Sequence, residues 1–524
     1  MENLFTDHAA SFSGYDDISF IDQEASVYIW FYLLPFKNDP KSLSDEISSY
    51  FNKLMLVFQQ IPQDKYFFIF TLDYPFYKPV QSGDFSLYQA ITNFNIKIIQ
   101  LAETHKNIKV IDISEFTGNY SPDKLIDWKF YFLSRMQINP KLAAEFKNWF
   151  NRQSDAIQSK RKKCIILDLD NTLWGGILGE DGITGIKLGG DYPGNAFLEF
   201  QKSLLELIKA GVILAICSKN NENDVLELWE KNPNMILKQE HFAASRINWN
   251  NKAVNVKEIA TELNVGLDSI VFIDDNPSER ELVKQFHPQV EIPDFPSQPY
   301  HLPVFITNLT DHYFRTYSLT EEDKVKTQQY RENAKRAVFQ KGFSDFSEYL
   351  TSLEIELTLQ KADAYTVPRI SQMTQKTNQF NLTTKRYTET DILNFIENNC
   401  LIYSINVKDK FGDNGMTGLI ILIPDKKSIS VKIDSLLLSC RILGKGIEDA
   451  FVFTVLNLLK SDGYKTVEAT FEPTLKNEQV RNFYDKLGFV NNDKNRASEG
   501  SKHYSIDLSR HDFKINSYYK IDMH

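Results

Sequence analysis

Short apolar runs alternate with longer amphipathic segments over the first part of the chain. The runs are rich in β-branched and aromatic residues, as buried strands are, and the segments between them have the period of a helix. The predicted strands are Val27–Leu34, Tyr66–Leu72, Ile108–Ile113, Cys164–Leu169, Val212–Cys217 and Ile270–Ile273. The predicted helices lie near Leu43–Gln60, Phe85–Thr104, Gly194–Ala210, Asn223–Lys231 and Ala253–Leu263. Because helices separate the strands, the pattern predicts the α/β fold class with parallel sheets.

The last part of the chain has a different pattern, in which strands follow one another through short turns. The predicted strands are Leu401–Val407, Gly418–Ile423 and Ser430–Leu436, and the predicted helices are Gly446–Leu459 and Asn477–Leu487. Strands joined by short turns are antiparallel, so this part predicts a largely antiparallel α+β sheet.

Two stretches divide the chain: residues 152–163 are polar and basic, and residues 292–303 contain four prolines. The predicted domains are an N-terminal α/β domain at 1–155, a second α/β domain at 160–310, a charged helical connector at 311–348 and an α+β domain at 349–524.

Composition narrows the class of protein. Of the 524 residues, 42% are hydrophobic, which disfavours a disordered chain. The net charge of -10 disfavours a general nucleic-acid binder. The four cysteines form no C-x-x-C pair, so neither a zinc ribbon nor a disulfide framework is indicated. With no secretory signal and no 18-residue apolar run, we expect a cytoplasmic protein with no membrane partner.

The sharpest chemical signal is IILDLDNTLWGG at 165–176. Asp168 and Asp170 follow an apolar strand at spacing i and i+2, which turns both toward one face at its carboxyl end. Ligands bind at that edge of a parallel sheet, and two close carboxylates favour a hard cation such as Mg²⁺ between them.

Later strands and helices end or begin with further polar residues. Ser218 follows the second strand of this domain, Lys252 precedes a helix, and Asp274 and Asp275 follow the third strand. Each alone is more often a cap or a turn residue, but their shared position in an α/β domain predicts that they meet at one edge.

This ordered set resembles the haloacid dehalogenase (HAD) phosphohydrolase superfamily. The resemblance implies that Asp168 is the nucleophile that becomes an aspartyl-phosphate, and that Asp170 is the general acid and then the base. It implies that Ser218 and Lys252 bind the phosphoryl oxygens. A Mg²⁺ cofactor would be held by Asp168, the backbone carbonyl of Asp170, and Asp274 or Asp275. Thr172, Trp174 and Asn220, in the same motifs, are expected to bind substrate.

The sequence predicts an uncapped site. About twenty residues with seven glycines lie between Thr172 and Pro193, enough for a flap hairpin and too few for a cap domain. The 33 residues between Ser218 and Lys252 are filled by a helix and a short strand. An open site suits a large substrate, or one delivered by another protein or domain.

In the last domain, Arg441, Gly444 and Gly446 open a helix after a strand. This loop resembles the pyrophosphate-binding loop of GNAT acyltransferases, in which backbone N–H groups face an anion. A Gly-x-Gly at a helix start is weak evidence by itself.

Together the two domains resemble the FkbH-like family of HAD-type proteins. The matching stretches are FYFLSRMQINP at 130–140, KCIILDLDNTLWGGILGEDG at 163–182, TQKTNQFNLTTKRY at 374–387, KFGDNGMTGL at 410–419 and SCRILGKGIE at 439–448. The resemblance implies removal of phosphate from a 1,3-bisphosphoglycerate-like donor and loading of the glyceryl unit on an acyl carrier protein. It implies a protein thioester, for which Cys440 is the natural candidate, although a buried cysteine without chemistry is the equally weighted alternative.

The stretch at 374–387 is too polar for a core. We expect an ordered substrate-side loop or a domain contact, with Asn378, Asn381, Lys385 and Arg386 available to oxygen-rich ligands.

The N-terminal domain loosely resembles SGNH hydrolases but lacks a G-D-S motif after its first strand. We interpret it as a non-catalytic docking or packing domain.

Three functions compete. The first is a Mg²⁺-dependent phosphatase and glyceryl transferase that acts on a small phosphorylated substrate with a carrier protein. The second is a plain phosphatase of a small or protein-linked phosphate ester, with a non-catalytic GNAT-like domain. The third is an assembly scaffold with little turnover, which the intact set of motif residues disfavours.

Overall fold

The structure is a computed structural model of the chain. It describes residues 18, 21–36, 39–63, 65–74, 83–134, 136–157, 161–317, 319, 328–330, 332, 336, 339, 343, 345–377, 380–425, 427–439, 442–474, 477–493 and 500–523. The chain divides into two compact units, residues 1–157 with 387–394 and residues 158–386 with 395–524.

The first unit contains a three-stranded parallel sheet in the order β1-β2-β3. Its strands are β1 (Val27–Trp30), β2 (Tyr66–Phe70) and β3 (Ile108–Ile111). Its helices are Pro40–Phe58, Ser86–Thr104, Ser114–Thr117, Pro122–Leu125, Trp128–Ser134 and Ala143–Ile157. The parallel α/β class is confirmed here, whereas the SGNH resemblance stays a prediction.

The second unit begins with a four-stranded parallel sheet in the order β6-β5-β4-β7. Its strands are β4 (Cys164–Leu167), β5 (Ile213–Ser218), β6 (Phe242–Ile247) and β7 (Ile270–Ile273). The associated helices are Leu178–Gly185, Gly194–Lys209, Glu222–Lys231, Lys252–Glu262, Pro277–Phe286 and Leu302–Leu309. Both faces of the sheet carry apolar core, because Ile165 and Leu167 join one cluster and Cys164 and Ile166 another.

The remaining sheet of this unit has nine strands in the order β14-β15-β13-β12-β11-β10-β8-β16, with β9 paired to β12. The strands are β8 (Ile355–Lys361), β9 (Phe380–Asn381), β10 (Leu401–Asp409), β11 (Gly412–Asp425), β12 (Ser430–Leu438), β13 (Thr466–Phe471), β14 (Val490–Asn491), β15 (Lys502–Asp507) and β16 (Tyr519–Met523). Most pairs are antiparallel, but β12 with β13 and β16 with β8 are parallel.

The helices of this last region are Phe346–Ser352, Val367–Lys376, Ile447–Ser461 and Phe483–Lys486. The helix Glu389–Glu397 begins in residues of the first unit and ends in residues of the second. The predicted single helix Asn477–Leu487 is wrong. The segment forms a 3₁₀ turn at Glu478–Val480 and a separate short helix at Phe483–Lys486.

The predicted flap hairpin is also wrong. Gly175 and Lys187 form one antiparallel bridge, with hydrogen bonds of 3.1 and 2.7 Å, but the chain between them contains the helix Leu178–Gly185. The Asp181 carboxylate accepts a 2.8 Å hydrogen bond from the Ile177 backbone N–H at the start of that helix. This local hydrogen bond satisfies the Ile177 N–H, which would pair with a neighbouring strand if the hairpin continued.

None of the helices in the described ranges is long and apolar enough to cross a membrane.

Candidate active site

Three of the predicted site residues lie at the carboxyl ends of adjacent strands. Asp168 follows β4, Ser218 ends β5 and Asp274 follows β7, and all three are buried. The backbone N–H of Asp168 donates to the Ile273 carbonyl at 2.9 Å, which holds the ends of β4 and β7 in register. Parallel pairing of neighbouring strands therefore brings together residues that are far apart in sequence.

Lys252 connects two of the carboxylates. It is the first residue of the helix Lys252–Glu262, where Asn251 caps the helix by accepting from the Ala253 N–H at 2.8 Å. Its ammonium lies 2.6 Å from Asp274 Oδ2 and 3.0 Å from Asp168 Oδ2. Burial by itself lowers the pKa of Lys252, but the two carboxylates outweigh it and raise the pKa above its usual value. The lysine is therefore a fixed positive charge.

The side chains of Asp168, Asp274 and Asp275 form an acidic cluster, with one carboxylate oxygen from each lying within 4.8 Å of the others. Burial, together with the Asp168 charge, raises the pKa of Asp274 to about 6, and the same causes raise the pKa of Asp275. The Asp168 Oδ1 atom is buried and accepts no hydrogen bond from the described residues. An orphaned carboxylate oxygen among three acids fits a hard cation with oxygen ligands.

Asp170 is held apart from this cluster by three donors. Its Oδ1 accepts from the Trp174 indole N–H at 2.9 Å and the Leu178 N–H at 3.1 Å, and its Oδ2 accepts from Asn220 Nδ2 at 2.9 Å. Burial raises the pKa of Asp170, although the three hydrogen bonds lower it. A carboxyl with a raised pKa and a fixed orientation suits proton transfer.

Trp174 and Thr172, predicted to bind substrate, are both fully buried and bonded within the site. The Trp174 indole orients Asp170, and the Thr172 hydroxyl accepts a 3.2 Å hydrogen bond from the Asp275 N–H. Their contact with substrate stays a prediction. Asn220, predicted in the same group, also donates to Ser218 Oγ at 3.3 Å.

Arg280 is a member of the site that the sequence analysis missed. Its Nη1 donates to the backbone carbonyls of Asp274 and Asp275, at 2.8 Å each. Its position in the sequence could have indicated this role, because Arg280 lies in the first turns of the helix Pro277–Phe286, which follows the two acids. Arg280 fixes the backbone that presents the carboxylates.

Of the residues predicted in the GNAT-like loop, Cys440 and Arg441 lie outside the described residues, as does Asn378 of the polar stretch. Gly444 and Gly446 have φ of +77° and +71° before the helix Ile447–Ser461, a conformation that favours glycine.

The first turn of the helix Ile447–Ser461 already carries negative charge, unlike an open site for an anion. It carries Glu448 and Asp449, whose charges interact favourably with the helix N-terminus. The Tyr519 hydroxyl donates to the Lys445 carbonyl within the loop, so part of the loop is already bonded by the chain itself.

The described residues of the polar stretch at 374–387 form a hydrogen-bonded network, and its role as a substrate-side loop or a domain contact stays a prediction. Arg386 Nη1 donates to the carbonyls of Thr374 and Thr377, and Lys385 pairs with Asp434. The Asn381 side chain is buried and accepts from the Thr384 N–H at 2.9 Å. These polar groups bind backbone and neighbouring side chains.

Comparison with known proteins identifies the class of the central domain. Residues 163–303 match the family model described as NLI interacting factor-like phosphatase. Residues 163–303 are therefore a HAD-like phosphatase domain similar to this family. Among curated proteins, none matches the chain.

Solved structures give weaker likenesses. The N-terminal part of protein BF1531 from Bacteroides fragilis, described as containing a phosphatase domain complexed with Mg, is 30% identical; the match covers 54% of this chain and 75% of that one, with a TM-score of 0.47. The ribosomal-protein-S18-alanine N-acetyltransferase from Escherichia coli is 13% identical over 30% of this chain and 99% of that one, with a TM-score of 0.23. A spermidine N-acetyltransferase variant from Vibrio cholerae is 17% identical over 29% and 94%, also with a TM-score of 0.23. All three TM-scores are below 0.5.

Proposed function

We propose that the protein is a Mg²⁺-dependent phosphohydrolase that forms an aspartyl-phosphate on Asp168. The observation that carries this proposal is the position of Lys252 between Asp168 and Asp274, beside an Asp168 oxygen that no described residue bonds. A fixed cation that holds one oxygen of a carboxylate and leaves the other oxygen unbonded is the arrangement that phosphoryl transfer needs.

The acidic cluster would hold the metal through Asp168, Asp274 and Asp275. When bound, Mg²⁺ supplies positive charge to the phosphoryl oxygens. The Lys252 ammonium, fixed by its two carboxylates, supplies a second positive charge and keeps Asp168 oriented.

The chain's own residues account for both halves of the reaction. In the first half, an Asp168 oxygen bonds to phosphorus, the bond from phosphorus to the leaving oxygen breaks, and Asp170 gives its proton to that oxygen. In the second half, Asp170 takes a proton from water as the water oxygen bonds to phosphorus and the bond to Asp168 breaks. Enzyme, free phosphate and alcohol result, so every proton is accounted for.

The test is hydrolysis of p-nitrophenyl phosphate. We expect Mg²⁺-dependent turnover that a chelator stops and added Mg²⁺ restores. Asp168→Asn abolishes it, because an amide does not attack phosphorus. Asp191→Asn, which makes the same charge change at an exposed position of the same domain, leaves it intact. Full turnover by a folded Asp168→Asn variant would remove the mechanism.

We further propose that the physiological reaction includes transfer of a glyceryl unit from a 1,3-bisphosphoglycerate-like donor to an acyl carrier protein. The support is the sequence resemblance over both domains, including SCRILGKGIE at 439–448. Incubation with the donor should add an acyl mass that hydroxylamine removes. Cys440→Ala should lose this adduct and keep aryl phosphatase activity.

The alternative is a plain phosphatase whose C-terminal domain has no chemistry. The carboxylates of Glu448 and Asp449 favour it, because they oppose an anionic ligand at the start of the helix Ile447–Ser461. An acyl adduct that persists in Cys440→Ala, or the absence of any adduct in the wild type, would support this alternative.

A further inference from the structure

Trp249 lies in a short loop at the phosphatase site. The loop joins β6 to the helix that begins at Lys252. The Asn248 N–H donates to the Ser218 carbonyl at 3.1 Å, and the Lys252 ammonium lies 3.0 Å from Asp168. Trp249 therefore lies between Asn248, which is hydrogen-bonded to Ser218, and Lys252, which pairs with Asp168.

The indole is exposed but held in one orientation. The side chain of Trp249 is 69% exposed, and its Nε1 donates to Asn221 Oδ1 at 3.2 Å. Asn221 directly follows Asn220, which contacts both Asp170 and Ser218. The ring is thus tied by its polar edge to the segment that carries the site, while most of its surface stays open to solvent.

The fold of the loop does not depend on the indole. The Asn248 carboxamide oxygen accepts from the Asn250 N–H at 3.0 Å and from Asn255 Nδ2 at 2.9 Å. Asn251 caps the following helix through the Ala253 N–H. Asparagine side chains and backbone groups thus fix the loop, and replacement of the tryptophan should leave its path unchanged.

Single exposed aromatic residues are common and need no function. Phe286, 63% exposed, is an example in the same domain. Phe286 is the last residue of the helix Pro277–Phe286, and the first residue of that helix follows Asp274 and Asp275. A ten-residue helix, about 15 Å long, therefore separates Phe286 from the two acids. Trp249 differs because its loop and its indole are both bonded to the segment that contains Ser218 and Asn220.

We propose that Trp249 positions the substrate by packing its exposed ring against the organic group attached to the phosphate. This inference rests on the proposed phosphatase function, favours its plain-phosphatase alternative over the glyceryl donor, and names the substrate class: phosphate esters with an aromatic or other extended apolar group next to the phosphoryl oxygen. Such a group gains contact with the indole, whereas a compact aliphatic phosphate does not reach it.

The test compares p-nitrophenyl phosphate with acetyl phosphate in wild type, Trp249→Ala, Trp249→Phe and the control Phe286→Ala. We expect Trp249→Ala to raise KM for the aryl ester about three- to tenfold, with kcat nearly unchanged, because an aromatic contact is worth about that factor. Kinetics on acetyl phosphate should stay as in the wild type. Trp249→Phe should restore most of the wild-type KM for the aryl ester, and Phe286→Ala should leave the kinetics on both substrates unchanged.

Equal losses on both substrates, or no loss on either, would overturn the role of Trp249. If the wild type hydrolyses acetyl phosphate through Asp168 and only the Trp249 effect is missing, this inference fails and the phosphatase assignment stands. If the wild type hydrolyses neither compound, the proposed function fails first, and the inference fails with it.

Discussion

Side chains far apart in sequence form the candidate site, and their positions at the ends of predicted strands indicated where they would meet. Asp168, Ser218 and Asp274 come together because each lies at the carboxyl end of a parallel strand. The burial of Trp174 could not be predicted in this way, because it depends on how the segment after β4 folds back over the sheet. The hydrogen bonds from Arg280 to two backbone carbonyls could not be predicted either, because they depend on where the helix begins, and the pattern of apolar and polar residues does not specify that position.

Trp174 provides a prediction at the residue scale. Trp174→Phe keeps the buried ring but removes the donor to Asp170 Oδ1. Because that hydrogen bond lowers the pKa of Asp170, its loss raises the pKa further above the usual value. The general acid must be protonated, so the alkaline limb that Asp170 sets in the pH–rate profile should move to higher pH. We also expect kcat to fall about 3- to 10-fold, from the loss of one hydrogen bond.

The matched control is Trp229→Phe, in the same domain. The Trp229 indole N–H is buried but donates to none of the described residues, so its removal should leave the pH profile in place. A profile that moves equally in both variants, or in neither, would contradict the role given to Trp174.

At the scale of elements, the α/β part of the chain was predicted closely and the C-terminal sheet was not. Helices of regular period separate β4, β5 and β7, and each strand is a continuous apolar run. By contrast, β8, β13, β15 and β16 were not predicted, because their apolar and polar positions alternate or their runs are short. Only the pairing of distant strands defines them.

The two-residue strand β9 depends on one buried side chain. Asn477 is fully buried, and its Nδ2 donates to the carbonyls of Asn381 and Glu472, at 2.9 Å each. The Leu382 N–H donates to the Leu436 carbonyl, and the Glu472 N–H donates to the Leu382 carbonyl. These bonds hold the polar stretch in place.

Asn477→Ala should therefore lower the free energy of unfolding by about 1–3 kcal/mol, since two buried carbonyls lose their donor. Chemical denaturation with urea measures this change. Asn482→Ala, at an exposed nearby position, is the control and should have little effect. Equal stability of Asn477→Ala and wild type would show that the network does not hold β9.

At the scale of the molecule, the segment between the phosphatase domain and the C-terminal sheet contacts both. Tyr330 belongs to the apolar cluster around Cys164 and Ile166. Arg336, 2% exposed, forms a bidentate pair with Asp409 of β10, at 2.6 and 2.7 Å. The charged composition of this segment predicted a connecting helix, but it gave no sign that one of the charges is buried against a partner 73 residues away.

The Arg336–Asp409 pair yields a prediction at this scale. Arg336→Leu should destabilise the second unit by about 3–5 kcal/mol, because it leaves the Asp409 carboxylate buried without its partner. The double variant Arg336→Leu, Asp409→Leu should recover much of the loss, since neither charge of this pair is then buried without its partner. Urea unfolding of the three proteins checks both statements. A double variant less stable than Arg336→Leu would contradict this explanation.

The central claim is that Asp168 carries the phosphoryl group during turnover, and detection of that group tests it most directly. In Asp170→Asn the water-attack step lacks its general base, which slows it about 10²–10⁴-fold, so the intermediate should accumulate. Acid quenching of this variant with p-nitrophenyl phosphate and Mg²⁺, followed by peptide mass spectrometry, should reveal a hydroxylamine-sensitive phosphoryl adduct on Asp168. The double variant Asp168→Asn, Asp170→Asn should show none. Phosphate release without an adduct on Asp168, or an adduct on another residue, would contradict the mechanism.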